Sequence, residues 1–151
     1  MIQNKRIQFW GSITLLMMAF ASVLSAIDKL PPLPAGIREI SLDETEKLIR
    51  DRADIAVIDV RTAQEFADHG HLPRAQLVDF FREDFNAALG TFKLDPAKPC
   101  IVYCAIGGRA KQAAEKMVKM GFKEVLLPKG SFKAWKAAGK PVEGVAKKSG
   151  S

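Results

Sequence analysis

The sequence predicts an α/β fold in which a central, mostly parallel sheet is flanked by helices on both faces. Three observations predict it. Strand-like and helix-like segments alternate through residues 37–142. The strand segments, such as Ile55-Ala56-Val57-Ile58 and Cys100-Ile101-Val102-Tyr103-Cys104, are short continuous apolar runs, the pattern of strands buried on both faces. Two of the helix segments open on capping boxes and three close on glycines.

Each element has its own signal. Arg38 to Ile40 is a short strand. Ser41 with Glu44 spells a capping box, in which each side chain satisfies the other residue's free N–H, and opens a helix to about Arg50. Ile55 to Asp59 is a buried strand. Thr62 with Glu65 is a second capping box, opening a short helix at 63–68. Ala75 to Val78 is a minor strand, Phe80 to Leu89 a helix stopped by Gly90, and Asp95 to Pro99 a turn. Residues 100–104 form the next strand. From Gly108 to Met120, Ala110, Ala113, Ala114, Met117 and Val118 recur at helical spacing, and Gly121 ends the helix. Val125 to Leu127 is the last strand, and Ser131 to Ala138 the last helix, closed by Gly139. Ligands of such sheets bind beyond the carboxyl ends of the strands, where Asp59 and Cys104 both fall.

Ahead of this domain, residues 1–26 read as an export signal. Lys5 and Arg6 supply a positive start, Ile13 to Leu24 an apolar stretch, and Ser25-Ala26 small residues before the first acid, Asp28. The alternative is an uncleaved anchor, because Ile7 to Ile27 carries no charge over 21 residues. Gln8, Gly11, Ser12, Ser22 and Ser25 dilute that run and favour export. The folded domain is therefore expected outside the cytoplasm, in the periplasm, and at a membrane only if the segment stays attached. Residues 27–36 are a proline-rich linker and 143–151 a short, flexible basic tail.

The chain of 151 residues carries 23 Lys and Arg against 17 Asp and Glu, a net charge of +6. The charges are mixed in sign along the domain, which excludes a nucleic-acid footprint and leaves a mild attraction for small anions. The only cysteines are Cys100 and Cys104. On an extended strand their α-carbons would lie about 13 Å apart, beyond the roughly 7 Å that a disulfide spans, so they are expected not to pair with each other. With His69 and His71 as the only histidines, no zinc site is expected, and no metal or organic cofactor.

The chemistry centres on Cys104-Ala105-Ile106-Gly107-Gly108-Arg109-Ala110. A thiol at a strand end, followed by two glycines, a cation and a helix start, stands where a thiolate is stabilised and a small anion is bound. Cys100 begins the same strand and points by parity to the same side. His71 is expected to be a packed histidine satisfied by backbone rather than a base for Cys104. Trp135 and Phe132 are expected in the core.

These residues resemble the rhodanese (sulfurtransferase) family over roughly residues 37–142. Asp59-Val60-Arg61 followed by Glu65-Phe66 and Gly70-His71-Leu72-Pro73 is similar to that family's first signature, and Cys104-x-x-Gly107-x-Arg109 to its active-site loop. Gly121-Phe122, then Leu127, Gly130, Trp135 and Gly139-Lys140-Pro141-Val142, is similar to its C-terminal pattern. The resemblance implies a three-layer rhodanese-like fold. It implies that Cys104 is a nucleophile that takes a sulfane sulfur from a donor such as thiosulfate and holds it as a persulfide. Cyanide, a thiol or a protein sulfur acceptor would then remove it. Backbone N–H groups of residues 105–110 would cradle the sulfur. Arg109 would hold the loop or an anionic substrate by forked hydrogen bonds. Asp59, Arg61 and Glu65 would be architectural, Asp59 capping or pinning the loop near the catalytic strand and Arg61 pairing with Glu65 at i,i+4.

The chain departs from the family's pattern in places. Arg74 stands where glycine is usual, a change of little consequence if it faces solvent. Lys129-Gly130 stands where paired glycines are usual, placing a Lys129 cation near the rim of the site. Ala105 and Ile106 are apolar where many relatives are polar, which weakens the case for thiosulfate. Two rival functions are a sulfur or redox carrier docking one protein partner, and a phosphatase. The phosphatases of this fold have five residues between cysteine and arginine. Here there are four, Ala105 to Gly108, and the loop holds no acid.

Overall fold

The structure is a computed structural model that describes residues 32–144. The export signal expected at 1–26, the first half of the linker and the tail from Val145 lie outside the described residues. The described elements are β1 (Ile37–Ile40), α1 (Leu42–Asp51), β2 (Ala56–Asp59), α2 (Ala63–His69), β3 (Gln76–Leu77), α3 (Phe85–Gly90), β4 (Cys100–Tyr103), α4 (Gly108–Lys119), β5 (Val125–Pro128) and α5 (Ser131–Ala137).

The five strands form one sheet in the order β1-β5-β4-β2-β3, with every pair parallel. All four residues of β4 and of β5 are buried, as the unbroken apolar runs require. Strand pleating divides the core in two. Ile58, Cys100, Val102, Cys104, Val125 and Leu127 pack with Phe85 and Leu89 of α3 and Ala110, Ala113, Ala114 and Met117 of α4. Val57, Ile101, Tyr103 and Leu126 pack with Ile49 of α1 and with Phe132 and Trp135 of α5. Three alanines on the buried side of α4 let that helix lie close to the sheet. Among the described residues no helix is long and apolar enough to cross a membrane.

Three local differences from the sequence reading have physical causes. The capping box of α2 is complete, but that of α1 is half made. Ser41 Oγ accepts from Glu44 N at 3.0 Å, while the Glu44 carboxylate turns to Arg38 on β1 at 2.9 Å. The helix expected from Phe80 begins only at Phe85. Asp79 Oδ1 takes the Phe81 N–H at 2.9 Å, and Arg82 and Asp84 pair across two residues, so the chain turns before it coils. Arg74 is exposed, but it also does structural work. It adopts a left-handed φ of 61°, and its guanidinium donates to Ala53 O and Arg52 O at 3.0 Å and to Ile49 O, capping the free carbonyls at the end of α1.

Candidate active site

Cys104 is the first residue beyond β4. Its side chain lies on the α4 face of the sheet, and the residue is 1% exposed. Four hydrogen bonds fix its surroundings. Gly107 N donates to Cys104 Sγ at 3.1 Å. Ser131 Oγ accepts from Cys104 N at 2.9 Å. Phe132 N donates to Cys104 O at 3.0 Å, and Lys133 N to Ala105 O at 2.9 Å. Of the N–H groups expected to cradle the sulfur, Gly107's is the one hydrogen-bonded to it among the described residues. Gly107 has a φ of 111°, a conformation open to glycine, and turns its N–H back toward the sulfur before α4 starts at Gly108. Ala110 points into the core and anchors the helix beneath the loop. Ala105 is half-buried, and Ile106 at the crest of the loop is 72% exposed.

Arg109 lies in the first turn of α4, where a cation opposes the helix dipole. Glu65 neutralises it. Arg109 Nη1 and Nη2 donate to Glu65 Oε2 and Oε1, each at 2.7 Å, in a forked pair. Glu65 Oε2 also accepts from Thr62 N at 3.0 Å as part of the α2 capping box. The Arg109 hydrogen bonds pull the Glu65 pKa from 4.5 down to about 2. The pairing expected between Arg61 and Glu65 is therefore corrected. Arg61 precedes the N-cap of α2, outside the helix, so the i,i+4 rule does not reach it. Its guanidinium turns inward to Asp59, with Nη2 to Oδ2 at 2.6 Å, and also donates to Gly70 O at 2.7 Å. Asp59 Oδ1 accepts from Arg61 N at 2.9 Å. Arg61 stacks over the Phe132 ring at 3.9 Å. This buried pair sits beside Tyr103, the register partner of Asp59.

The remaining expected residues fall around this centre. Lys129 follows β5, exposed, with its N–H on Ile40 O at 2.9 Å. It has no ion-pair partner among the described residues. The two consecutive left-handed residues are Gly130 (φ 72°) and Ser131 (φ 57°). The second seat of the expected glycine pair is thus Ser131, and Lys129 precedes the pair. Cys100 is buried at the far end of β4, where desolvation pushes its pKa up to about 12. His71 stacks on Phe66 at 4.0 Å, with Nδ1 3.0 Å from Leu72 O.

Two neighbours of the loop carry no signal in the sequence that marks them for the site. Ser131 reads there only as the first residue of a helix. Phe81, 68% exposed with Arg109 over its ring at 5.6 Å, belongs by its spacing to a helix that in the structure starts only at Phe85. A cavity of about 240 Å³ opens beside the loop, lined by Val102, Ile106, Gly108, Leu127 and Ser131 with Lys111. A larger one of about 480 Å³ lies by Leu77, Asp79 and Phe92 and includes none of the expected site residues.

The family model of the rhodanese-like domain matches residues 41–138. A thiosulfate sulfurtransferase, GlpE, from Coxiella burnetii is 32% identical over 105 residues, covering 66% of this chain and 88% of that protein. A sulfurtransferase from Allochromatium vinosum is 24% identical over 106 residues, covering 70% of this chain and 94% of that protein. Among solved structures, the polysulfide-sulfur transferase homodimer of Wolinella succinogenes superposes with a TM-score of 0.64 at 26% identity, covering 77% of this chain and 85% of that one. The chain belongs to the rhodanese-like domain family.

Proposed function

We propose that the protein is a sulfurtransferase that carries sulfane sulfur on Cys104. Sulfur transfer in general is supported by the relatives, whose names are those of sulfurtransferases. The observation that carries the assignment to Cys104 is its place at the end of β4, with the Gly107 N–H on its sulfur at 3.1 Å. A thiolate needs such donors to persist near neutral pH.

The proposed reaction has two steps. The Cys104 thiolate attacks the outer sulfur of a donor such as thiosulfate. A sulfur–sulfur bond forms on Cys104, the donor's own sulfur–sulfur bond breaks, and sulfite leaves with the electron pair. A nucleophile, cyanide or a thiolate, then attacks the outer sulfur and releases the Cys104 thiolate. The scheme draws on no metal or organic cofactor. Arg109 acts as a clamp on the loop, since Glu65 occupies both of its forks. Lys129 supplies a cation at the rim. The four-residue loop is the argument against phosphoryl transfer. Residues 1–26 argue for export to the periplasm.

A second reading, a carrier that exchanges sulfur with one protein partner, is favoured by one feature. Phe81 and Ile106, both close to Arg109 and the loop, are two of the three exposed large hydrophobic residues among those described. Turnover separates the two readings. The enzyme reading expects continuous thiocyanate formation from thiosulfate and cyanide. A single round of loading with negligible turnover would replace it with the carrier reading.

A further inference from the structure

We infer that Ser131 is a positioning residue for Cys104. The inference rests on the reading of Cys104 as the sulfur carrier. β4 and β5 are paired at Cys100 with Val125 and at Ile101 with Leu126, and part beyond that point. The Cys104 amide lies past the split, is buried, and finds its acceptor in the Ser131 hydroxyl at 2.9 Å. The next two residues of α5 hold the following carbonyls, Phe132 N on Cys104 O and Lys133 N on Ala105 O. Three successive residues thus grip the backbone on both sides of the Cys104 side chain. Of the three bonds, only Ser131's is made by a side chain.

The backbone at Ser131 speaks for this role. Its φ of 57° is a left-handed conformation that favours glycine, and the residue is 1% exposed. At the neighbouring Gly130 no side chain fits, because an added Cβ would meet Ala134 Cβ at 2.6 Å. A second glycine at 131 would adopt the same path without strain. Serine in that seat keeps the strain and supplies the hydroxyl. Strained residues of this kind gather where a site needs a fixed geometry. Holding the Cys104 amide fixes the peptide plane from which Cα–Cβ projects, and so the position of Sγ relative to Gly107 N.

Two substitutions separate positioning from plain structural support. Ser131→Ala removes the hydroxyl and keeps the strain. Ser131→Gly removes the hydroxyl and relieves the strain. The readouts are melting temperature, the rate of Cys104 alkylation by iodoacetamide followed by peptide mass across pH, and the rate of sulfur loading from thiosulfate. The inference expects alkylation and loading to fall together in both variants, on the order of ten-fold or more. It expects the melting temperatures to separate, with Ser131→Gly the higher. Rates that track the melting temperatures, or a Ser131→Gly protein that reacts like the wild type, would overturn it. Wild-type protein that is alkylated at Cys104 but takes up no sulfur counts instead against the sulfur-carrier reading, and the alkylation arm still decides the role of Ser131.

Discussion

Glu65 joins two parts of the chain that are far apart in sequence. Its carboxylate completes the cap of α2 and receives both forks of Arg109, so the loop after Cys104 is tied to the helix after β2. The folded-state pKa of about 2 lies below the ordinary 4.5, which sets the sign of the pH dependence. Stability from this carboxylate is fully present above about pH 4.5 and is lost as pH falls toward 2. Replacing Glu65 with Gln should lower unfolding free energy at pH 7, with a difference from wild type that shrinks across that window. Denaturant titrations at pH 7 and pH 3 check this, and a gap of equal size at both would deny the ionised pair its part. At this scale Cys104, Gly107 and Arg109 were legible in the sequence, because a loop's chemistry is written in consecutive residues. Glu65 was legible as a cap. Its union with Arg109 was not, since nothing local shows which distant cation a carboxylate meets, and i,i+4 geometry pointed to Arg61.

At the level of elements, the start of α5 does more for the site than its length suggests. Gly130 and Ser131 turn the chain sharply off β5 and aim the first N–H groups of α5 at Cys104 and Ala105. Gly130→Ala combines a left-handed φ of 72° with a Cβ 2.6 Å from Ala134. It is expected to destabilise the protein by roughly 2 kcal/mol or more and to slow Cys104 alkylation. Gly107→Ala shares the backbone penalty, at φ 111°, but meets nothing within 4 Å. Thermal melts should rank Gly130→Ala as the less stable of the two, and the reverse order would show that the clash is relieved at little cost. Helix and strand identities were readable from apolar spacing and caps. The late start of α3 was not, because the Phe81 N–H bound to Asp79 Oδ1 and the Arg82–Asp84 pair outweigh the helical pattern of Phe80 to Leu89. The half-made cap of α1 has a similar cause, as Arg38 on a separate strand draws Glu44 away.

Across the whole molecule, unbroken apolar strands between helices sufficed to predict a parallel sheet covered on both faces, and the structure has one. The order β1-β5-β4-β2-β3 was not readable, because pairing depends on contacts between distant segments. The order matters, since it sets β4 centrally and brings the start of α5, the cap of α2 and the loop of Cys104 to one end. The buried Asp59–Arg61 pair, 0% and 1% exposed, links β2, the end of α2 at Gly70 and Phe132 of α5. Asp59→Ala would strand a buried guanidinium and is expected to cost roughly 3–5 kcal/mol. Chemical denaturation measures it, and a loss under 1 kcal/mol would mean that Arg61 finds water or another partner. Whether Cys104 carries the sulfur can be read from the intact mass of the purified protein after thiosulfate treatment and desalting, with Cys104→Ser alongside. The wild type should gain one sulfur atom and a folded Cys104→Ser variant none. Equal loading of both proteins would rule Cys104 out as the carrier.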